Sequence, residues 1–526
     1  MKKQSFLQGA LILMVAGLIN RIMGFILRII LVKTIGDEGL GLFQMIYPLF
    51  MTLLLIATAG FPLAISKLIP ERLAENNLKG AYNFLKVSLV FVGLMAIITS
   101  LFFFFSLDYL STHIYSDERV KIILLSMLPA LLISPLAACF RGFFQGMHTM
   151  LPTAASQITE QLSRFLATLV LVTMLAQLGL RYQAAGIGLG IAIGETSGFL
   201  LLIILFAHHL YKTYLKNRNK DELKRIFTVN IRHNYYRDFK KITALAVPVT
   251  LGKIINSLML SGQAVLIPRQ LQSGGLTINQ ATSLYGQLSG MVEQLIFLPT
   301  IITIALTTSL IPSVSADYAN NRLAKIKNNY QDVIRISCYL GLPVSVIFFT
   351  RGKEICSLLF GYPQAGNLLA ALAFSATFIY YLQVSHGMLN ALGKPGIALL
   401  NLIIGSAIKL MGIYYLTPQE SGIYGAIFSI GLGYIMSAIL NFTAIGHLIG
   451  YQLKPVQCFI KPLFSSFILL IINSRLYEFQ KYYPKSIQGF ETIISLFIMI
   501  IIYLGTMLII RAITPADLAR FQNRNQ

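Results

Sequence analysis

Charge is the scarcest property of this chain. Only 12% of its residues are Asp, Glu, Lys or Arg, against about 25% in an ordinary soluble domain. The deficit falls on the acids: 20 Asp and Glu stand against 42 Lys and Arg, for a formal net charge of +22. Cysteine is also rare. Cys139, Cys338, Cys356 and Cys458 make no CxxC and no Cys/His metal spacing, which leaves them as small packing residues. No Walker loop, HExxH, GxSxG or acidic metal motif occurs, so the chain is not expected to hydrolyse ATP by itself or to be an enzyme. No cleavable signal is expected either. Lys2 and Lys3 precede an apolar stretch far longer than the roughly 7–15 residues of a signal core, and the first helix is expected to stay and direct insertion.

What is present is apolar. Hydrophobic residues make up 56% of the 526, and mean hydropathy is +0.70. Apolar runs of about 20 residues recur along the whole length, which predicts an all-α polytopic membrane protein of about fourteen transmembrane helices. In a soluble chain the positive excess would point to nucleic acid. Here Lys and Arg sit mostly between apolar runs, where cytoplasmic loops collect them. The stretch 212–241 alone holds ten of them. Counting them places both termini on the cytoplasmic side of the membrane, with short outer loops.

The chain also repeats itself. SKLIPERLAE (Ser66 to Glu75) matches TSLIPSVSAD (Thr308 to Asp317) at an offset of 242, RGFFQGM (Arg141 to Met147) matches HGMLNAL (His386 to Leu392) at 245, and GIGLGIAIG (Gly186 to Gly194) resembles GAIFSIGLG (Gly425 to Gly433) at 239. Near-constant offsets predict a duplicated six-helix unit. An even number of helices gives both copies one orientation, related by a pseudo-two-fold along the membrane normal. The expected organisation is an N-lobe over 1–211, a basic cytoplasmic linker over 212–241, a C-lobe over 242–449, and two extra helices with a cytoplasmic tail over 450–526. The Gly-rich run 186–198 contains GxGxG, but without a preceding strand it reads as small residues that let membrane helices pack closely.

Charges inside apolar runs single out the candidate site. The first run, Ser5 to Ile35, carries Asn20, Arg21 and Arg28. An arginine at mid-helix costs about 2.5–3.5 kcal/mol on insertion scales. Arg21 and Arg28 are about two turns apart and share one face. That face should line a protein interior or watery cavity suited to an anionic cargo, although Arg28 is near enough to the outer end to snorkel. Lys253 lies in the repeat partner of this helix and would face the same central cleft, unless it pairs structurally with Glu293. Glu160 and Arg164 are four apart and can pair along one helix face, either as a self-neutralising pair or as a gate. Glu195 and Glu293 are the other intramembrane carboxylates and would suit coupling to a proton or sodium gradient. Arg141 and Arg335, near helix ends, read as interfacial anchors. Lys409 lies deep in its helix, near a possible groove for a lipid tail.

NRIMGFILRIILVKTIGDEGLGLFQMIYP (Asn20 to Pro48), AGFPLAISKLIPERLAE (Ala59 to Glu75) and RGFFQGMHTMLPTAASQITEQLSR (Arg141 to Arg164) resemble the multidrug/oligosaccharidyl-lipid/polysaccharide exporter superfamily. Within it the chain is most similar to the polysaccharide-biosynthesis and stage V sporulation protein B branch, related to MurJ-type lipid II flippases. The resemblance implies two six-helix lobes, alternating access, and an undecaprenyl-pyrophosphate-linked peptidoglycan or polysaccharide precursor as cargo. In spore formers it points to the spore cortex. It implies membrane lipids as surroundings, cell-wall synthesis enzymes as partners, no nucleic acid, and no cofactor beyond a driving ion gradient or the membrane potential. Arg21 matches an essential arginine of the MurJ-type members through NRIMGF, and Arg28 falls one position after the second. The same-fold alternative is a cation-coupled drug exporter, which the bases at Arg21 and Lys253 disfavour. A membrane glycosyl polymerase would carry larger outer loops. A non-transporting scaffold for wall synthesis is the binding alternative.

Overall fold

In a computed structural model, which describes residues 6–217, 235–450, 454–480 and 488–512, the chain is helical throughout, with no strand among those residues. Among the described residues, thirteen helical stretches are long and apolar enough to cross a membrane. The first runs 67 residues, Gln8–Ala74, roughly 100 Å at 1.5 Å per residue and far more than one bilayer. It is broken inside helix α1 (Phe6–Thr58) at Gly36, whose backbone is non-helical at φ 71°, ψ −175°. Only glycine takes that conformation without strain. Counted as two crossings, this stretch brings the total to the fourteen expected. The centre of the 212–241 linker and the tail beyond 512 lie outside the described residues; 212–217 and 235–241 are helical.

The chain forms two compact units. The first comprises Met1–Arg269 with Ile278–Gly286. It is built from α1, α2 (Phe61–Ala74), α3 (Leu78–Tyr109), α4 (Val120–Gly146), α5 (Leu151–Met174), α6 (Leu180–Asn217), α7 (Tyr235–Ser273, up to Arg269) and α8 (Ile278–Tyr285). Its core joins Phe61, Ile65 and Ile69 of α2 to Phe84, Phe143, Phe144, Leu202, Ile242 and Ala246. Phe61 stacks on Phe91 at 4.5 Å, the offset geometry that aromatic pairs favour. At the Gly36 end, Arg119 bridges Asp117 at 2.7 Å and Glu38 at 2.5 Å. This ties the α3–α4 turn to the break in α1.

At the opposite end of the first unit, Asp238 of α7 is buried and lies 3.5 Å from Arg72. Burial pushes its carboxyl above the usual range, and the Arg72 charge offsets only part of that. A raised folded-state value means the native state holds the proton longer. Stability contributed here is therefore present at low pH and lost as pH rises through the folded value. Asp238→Asn is expected to flatten that dependence and to leave the protein no less stable at neutral pH. Thermal unfolding from pH 4 to 7 checks this, and a variant whose slope matches wild type would contradict it.

The second unit comprises Gln270–Thr277 and Gln287–Gln526. Its helices are α9 (Glu293–Phe297), α10 (Thr300–Ala319), α11 (Leu323–Phe360), α12 (Pro363–Leu372), α13 (Ala376–Ala391), α14 (Pro395–Leu416), α15 (Ile423–Ile449), α16 (Lys461–Gln480) and α17 (Gln488–Ile509). Val314, Ile326, Tyr330, Met388, Leu389 and Ile445 share a core with Cys338 and Cys458. All four cysteines are free and buried, as small packing residues should be. The last two helices are pinned to α11. Tyr339 donates to the Ala512 carbonyl at 2.8 Å and accepts at its own carbonyl from Tyr503 at 3.0 Å. Fully buried Arg351 donates to Asn473 of α16.

Candidate functional site

The helix that carries Asn20, Arg21 and Arg28 has two unlike sides. Leu11, Met14, Val15, Leu18, Ile22 and Ile26 are exposed, at the three- and four-residue spacing of one apolar face. Asn20, Arg21 and Arg28 are half-buried. Gly24 stands between the arginines, and a β-carbon added there would lie 3.6 Å from the Gln161 amide nitrogen of α5. Residues 21, 24 and 28 share a helix face, so the cationic stripe is turned toward α5. The Asn20 carbonyl oxygen Oδ1 is buried without a hydrogen-bond partner among the described residues. An acceptor left so is costly and marks a place where a donor fits.

Next to Gln161, α5 carries charges that belong to a network of four. Glu160 accepts from Arg164 one turn on and, at 2.7 Å, from Arg141 of α4. Arg164 also reaches Glu195 of α6 at 3.3 Å. Arg141 Nε donates to Ser156 at 3.2 Å. Both carboxylates are buried at 9% exposure, and the four charges sum to zero, as a low-dielectric site requires. The glycine-rich run of α6 makes the arrangement possible. A β-carbon at Gly194 would lie 2.7 Å from Arg164 Cβ, and one at Gly198 would lie 3.0 Å from Glu160 Cβ. Small residues there let α6 close onto the ion pairs. Glu195 Oε2 has no hydrogen-bond partner among the described residues.

The residues singled out in the sequence thus fall into four places. Asn20, Arg21 and Arg28 line the α5-facing side of α1. Glu160, Arg164 and Glu195 meet in one network. Lys253 lies exposed on α7 of the same unit, and Glu293 is half-buried at the start of α9 in the other unit. Arg141, expected to be an interfacial anchor, is the second arginine on Glu160. Its helix end had suggested headgroups. Only the packing of α4 on α5 could reveal its partner, since the two residues are 19 apart in the chain.

The polysaccharide biosynthesis protein family matches residues 6–317. The chain belongs to that family. It is 29% identical to stage V sporulation protein B of Bacillus subtilis (strain 168) over 473 residues, covering 90% of this chain and 88% of that protein. It is 26% identical to the lipid II flippase MurJ of the same organism, over 85% of this chain and 84% of the other. Among solved structures it matches the lipid II flippase MurJ in an inward closed conformation, with a TM-score of 0.69 and 14% identity over 94% of this chain and 98% of that one. At that identity the likeness speaks for the fold alone, and it supports a many-helix membrane protein of the expected class.

Proposed function

We propose that the chain is a flippase that carries an undecaprenyl-pyrophosphate-linked peptidoglycan or polysaccharide precursor across the bacterial cytoplasmic membrane by alternating access. The observation that carries this reading is the half-buried Arg21–Arg28 stripe, held on an apolar helix of a chain that is 26% identical to a lipid II flippase. Arginines kept away from lipid and turned toward a polar neighbour suit a diphosphate, which takes charge-assisted hydrogen bonds. In this reading Arg21, Arg28 and Lys253 bind the diphosphate, and Asn20 accepts from a donor on the head group. The polyprenyl tail stays in lipid or along α16 and α17. The Glu160–Arg164–Glu195 network responds to the driving ion or to cargo arrival. Both termini and the 212–241 stretch face the cytoplasm. The kinship with a sporulation protein favours cortex precursor as the cargo in a spore-forming host, delivered to cell-wall synthesis enzymes outside. No chemical step is assigned to the chain.

Proteoliposomes loaded with fluorescent undecaprenyl-pyrophosphate-linked precursor test this. The protein is expected to expose the head group on the far leaflet faster than empty vesicles do, and to leave labelled phosphatidylglycerol where it was. Equal movement of both lipids, or of neither, would sink the reading.

A further inference from the structure

In the second unit, α13, α14 and α15 contain no Asp, Glu or Arg and a single Lys, Lys409. Lys409 is 4% exposed. An ammonium so far from water is expensive unless it is paired, and an ionisable residue inside a membrane helix needs a named partner. A β-carbon at Gly433 of α15 would sit 2.7 Å from Lys409 Cβ and 2.7 Å from the Gly405 carbonyl, so only glycine allows α15 to close over the lysine here. The ammonium lies over the Tyr434 ring, 5.7 Å from its centroid, within range of a cation–π contact. The same ring meets Phe297, one helical turn after Glu293 on α9, and the Glu293 charge reaches Lys409.

Glu293 is held in place by an unusual piece of chain. It follows seven π-helical residues, Gly286–Val292, a local geometry concentrated at functional sites. It also opens α9, a helix of five residues. Tyr380 of α13 grips that helix by donating to the Ile296 carbonyl at 2.9 Å. Phe297 meets Tyr434 edge-on at 6.2 Å. The other titratable side chains on the helices packed against α14 lie elsewhere. Tyr381 shares a hydrogen bond with Tyr330 at 2.7 Å. His386 is in the following turn of α13, and Tyr424 and His447 are near the two ends of α15.

We propose that the Lys409 ammonium is a tethered counter-cation for Glu293, so that this site takes a proton and no alkali-metal ion. A carboxylate in such a place needs one positive charge. The lysine supplies it permanently, and a sodium ion entering beside it would meet like charge. A proton is different. It converts the Glu293 carboxylate to a neutral carboxyl, and the site gains one positive charge. Lys409 then loses its counter-charge while still buried, which gives its helices a reason to rearrange. Nothing here depends on the identity of the cargo.

Thermal unfolding of the purified full chain in nanodiscs, in sodium chloride and in choline chloride at equal ionic strength, tests the assignment. Wild type is expected to unfold at the same temperature in both salts. Lys409→Ala is expected to be several degrees less stable in choline and to regain most of that in sodium, which binds and stabilises the vacated place. Lys409→Ala/Glu293→Gln should lose the sodium response. Lys409→Ala blind to sodium would overturn the proposal. Should that variant fail to fold, wild type against Glu293→Gln decides. Glu293→Gln is expected to be less stable by the same amount in both salts, because the ammonium is left uncompensated. Sodium protection of wild type that disappears in Glu293→Gln, or an unchanged Glu293→Gln, would overturn it.

Discussion

Arg21→Ala is expected to weaken binding of an undecaprenyl-pyrophosphate-linked precursor by about ten- to a hundredfold and to slow its translocation at subsaturating precursor to match. A charge-assisted hydrogen bond is worth about 1.5–3 kcal/mol, and every 1.4 kcal/mol is a factor of ten in affinity. Arg21 sits one turn before Gly24, whose Cα faces Gln161, so it lies on the side of α1 turned toward α5 and away from the exposed apolar face. Arg28, two turns from Arg21 on the same face, is expected to show a smaller loss on alanine substitution, since it lies nearer the helix end. Arg21→Lys should recover only part of the affinity. It restores the charge but not the planar fork that meets a phosphate with two bonds. The translocation assay with graded precursor measures all three. Arg21→Ala at the wild-type rate, with normal expression, would remove Arg21 from the site.

Glu160→Gln is expected to be the most damaging single change in the four-charge network. Glu160 accepts from both Arg141 and Arg164, and its loss leaves two half-buried positive charges facing only Glu195. Removing one partner from a buried pair costs about 3–5 kcal/mol, mainly because the other charge is left uncompensated. The companion change follows from charge balance. Arg141→Gln together with Glu160→Gln leaves Arg164 and Glu195, which sum to zero and already lie 3.3 Å apart. The double variant is therefore expected to be more stable than Glu160→Gln alone. A double-mutant cycle on thermal unfolding reads the coupling directly. Additive losses at the two positions would show that Arg141 and Glu160 do not depend on each other. Translocation by the stable double variant then separates a structural network from a gating one.

Much of this was legible from residue order. The scarcity of charge and the repeated apolar runs are enough for a many-helix membrane protein, because a bilayer fixes the length of an apolar helix. The Glu160–Arg164 pair is legible too, since four residues is one helical turn. So is the common face of Arg21 and Arg28. Arg141 was not. Its partner is on the next helix, and no local period says which residue of α5 a residue of α4 will meet. Glu195 joins the same network only because Gly194 and Gly198 let α6 approach α5 closely. The glycine run could be read as a packing surface, but not as the notch that holds two ion pairs. Lys409 stood out as deep in its helix. Glu293, more than a hundred residues earlier, became visible as its counter-charge only through the short α9 and its grip by Tyr380. Gly36 shows the same limit at the level of the backbone: the two apolar runs on either side are plain, but the nearly continuous helix across the break is not.

The most direct test of the central claim is binding of undecaprenyl-pyrophosphate-linked precursor to the purified protein by native mass spectrometry, with anionic phospholipid as competitor, for wild type and Arg21→Ala/Arg28→Ala. Wild type is expected to retain the precursor in excess phospholipid, and the double variant is expected to lose that preference while still binding phospholipid. Equal retention by the two proteins, or no preference over phospholipid in either, would contradict a diphosphate site on the first helix.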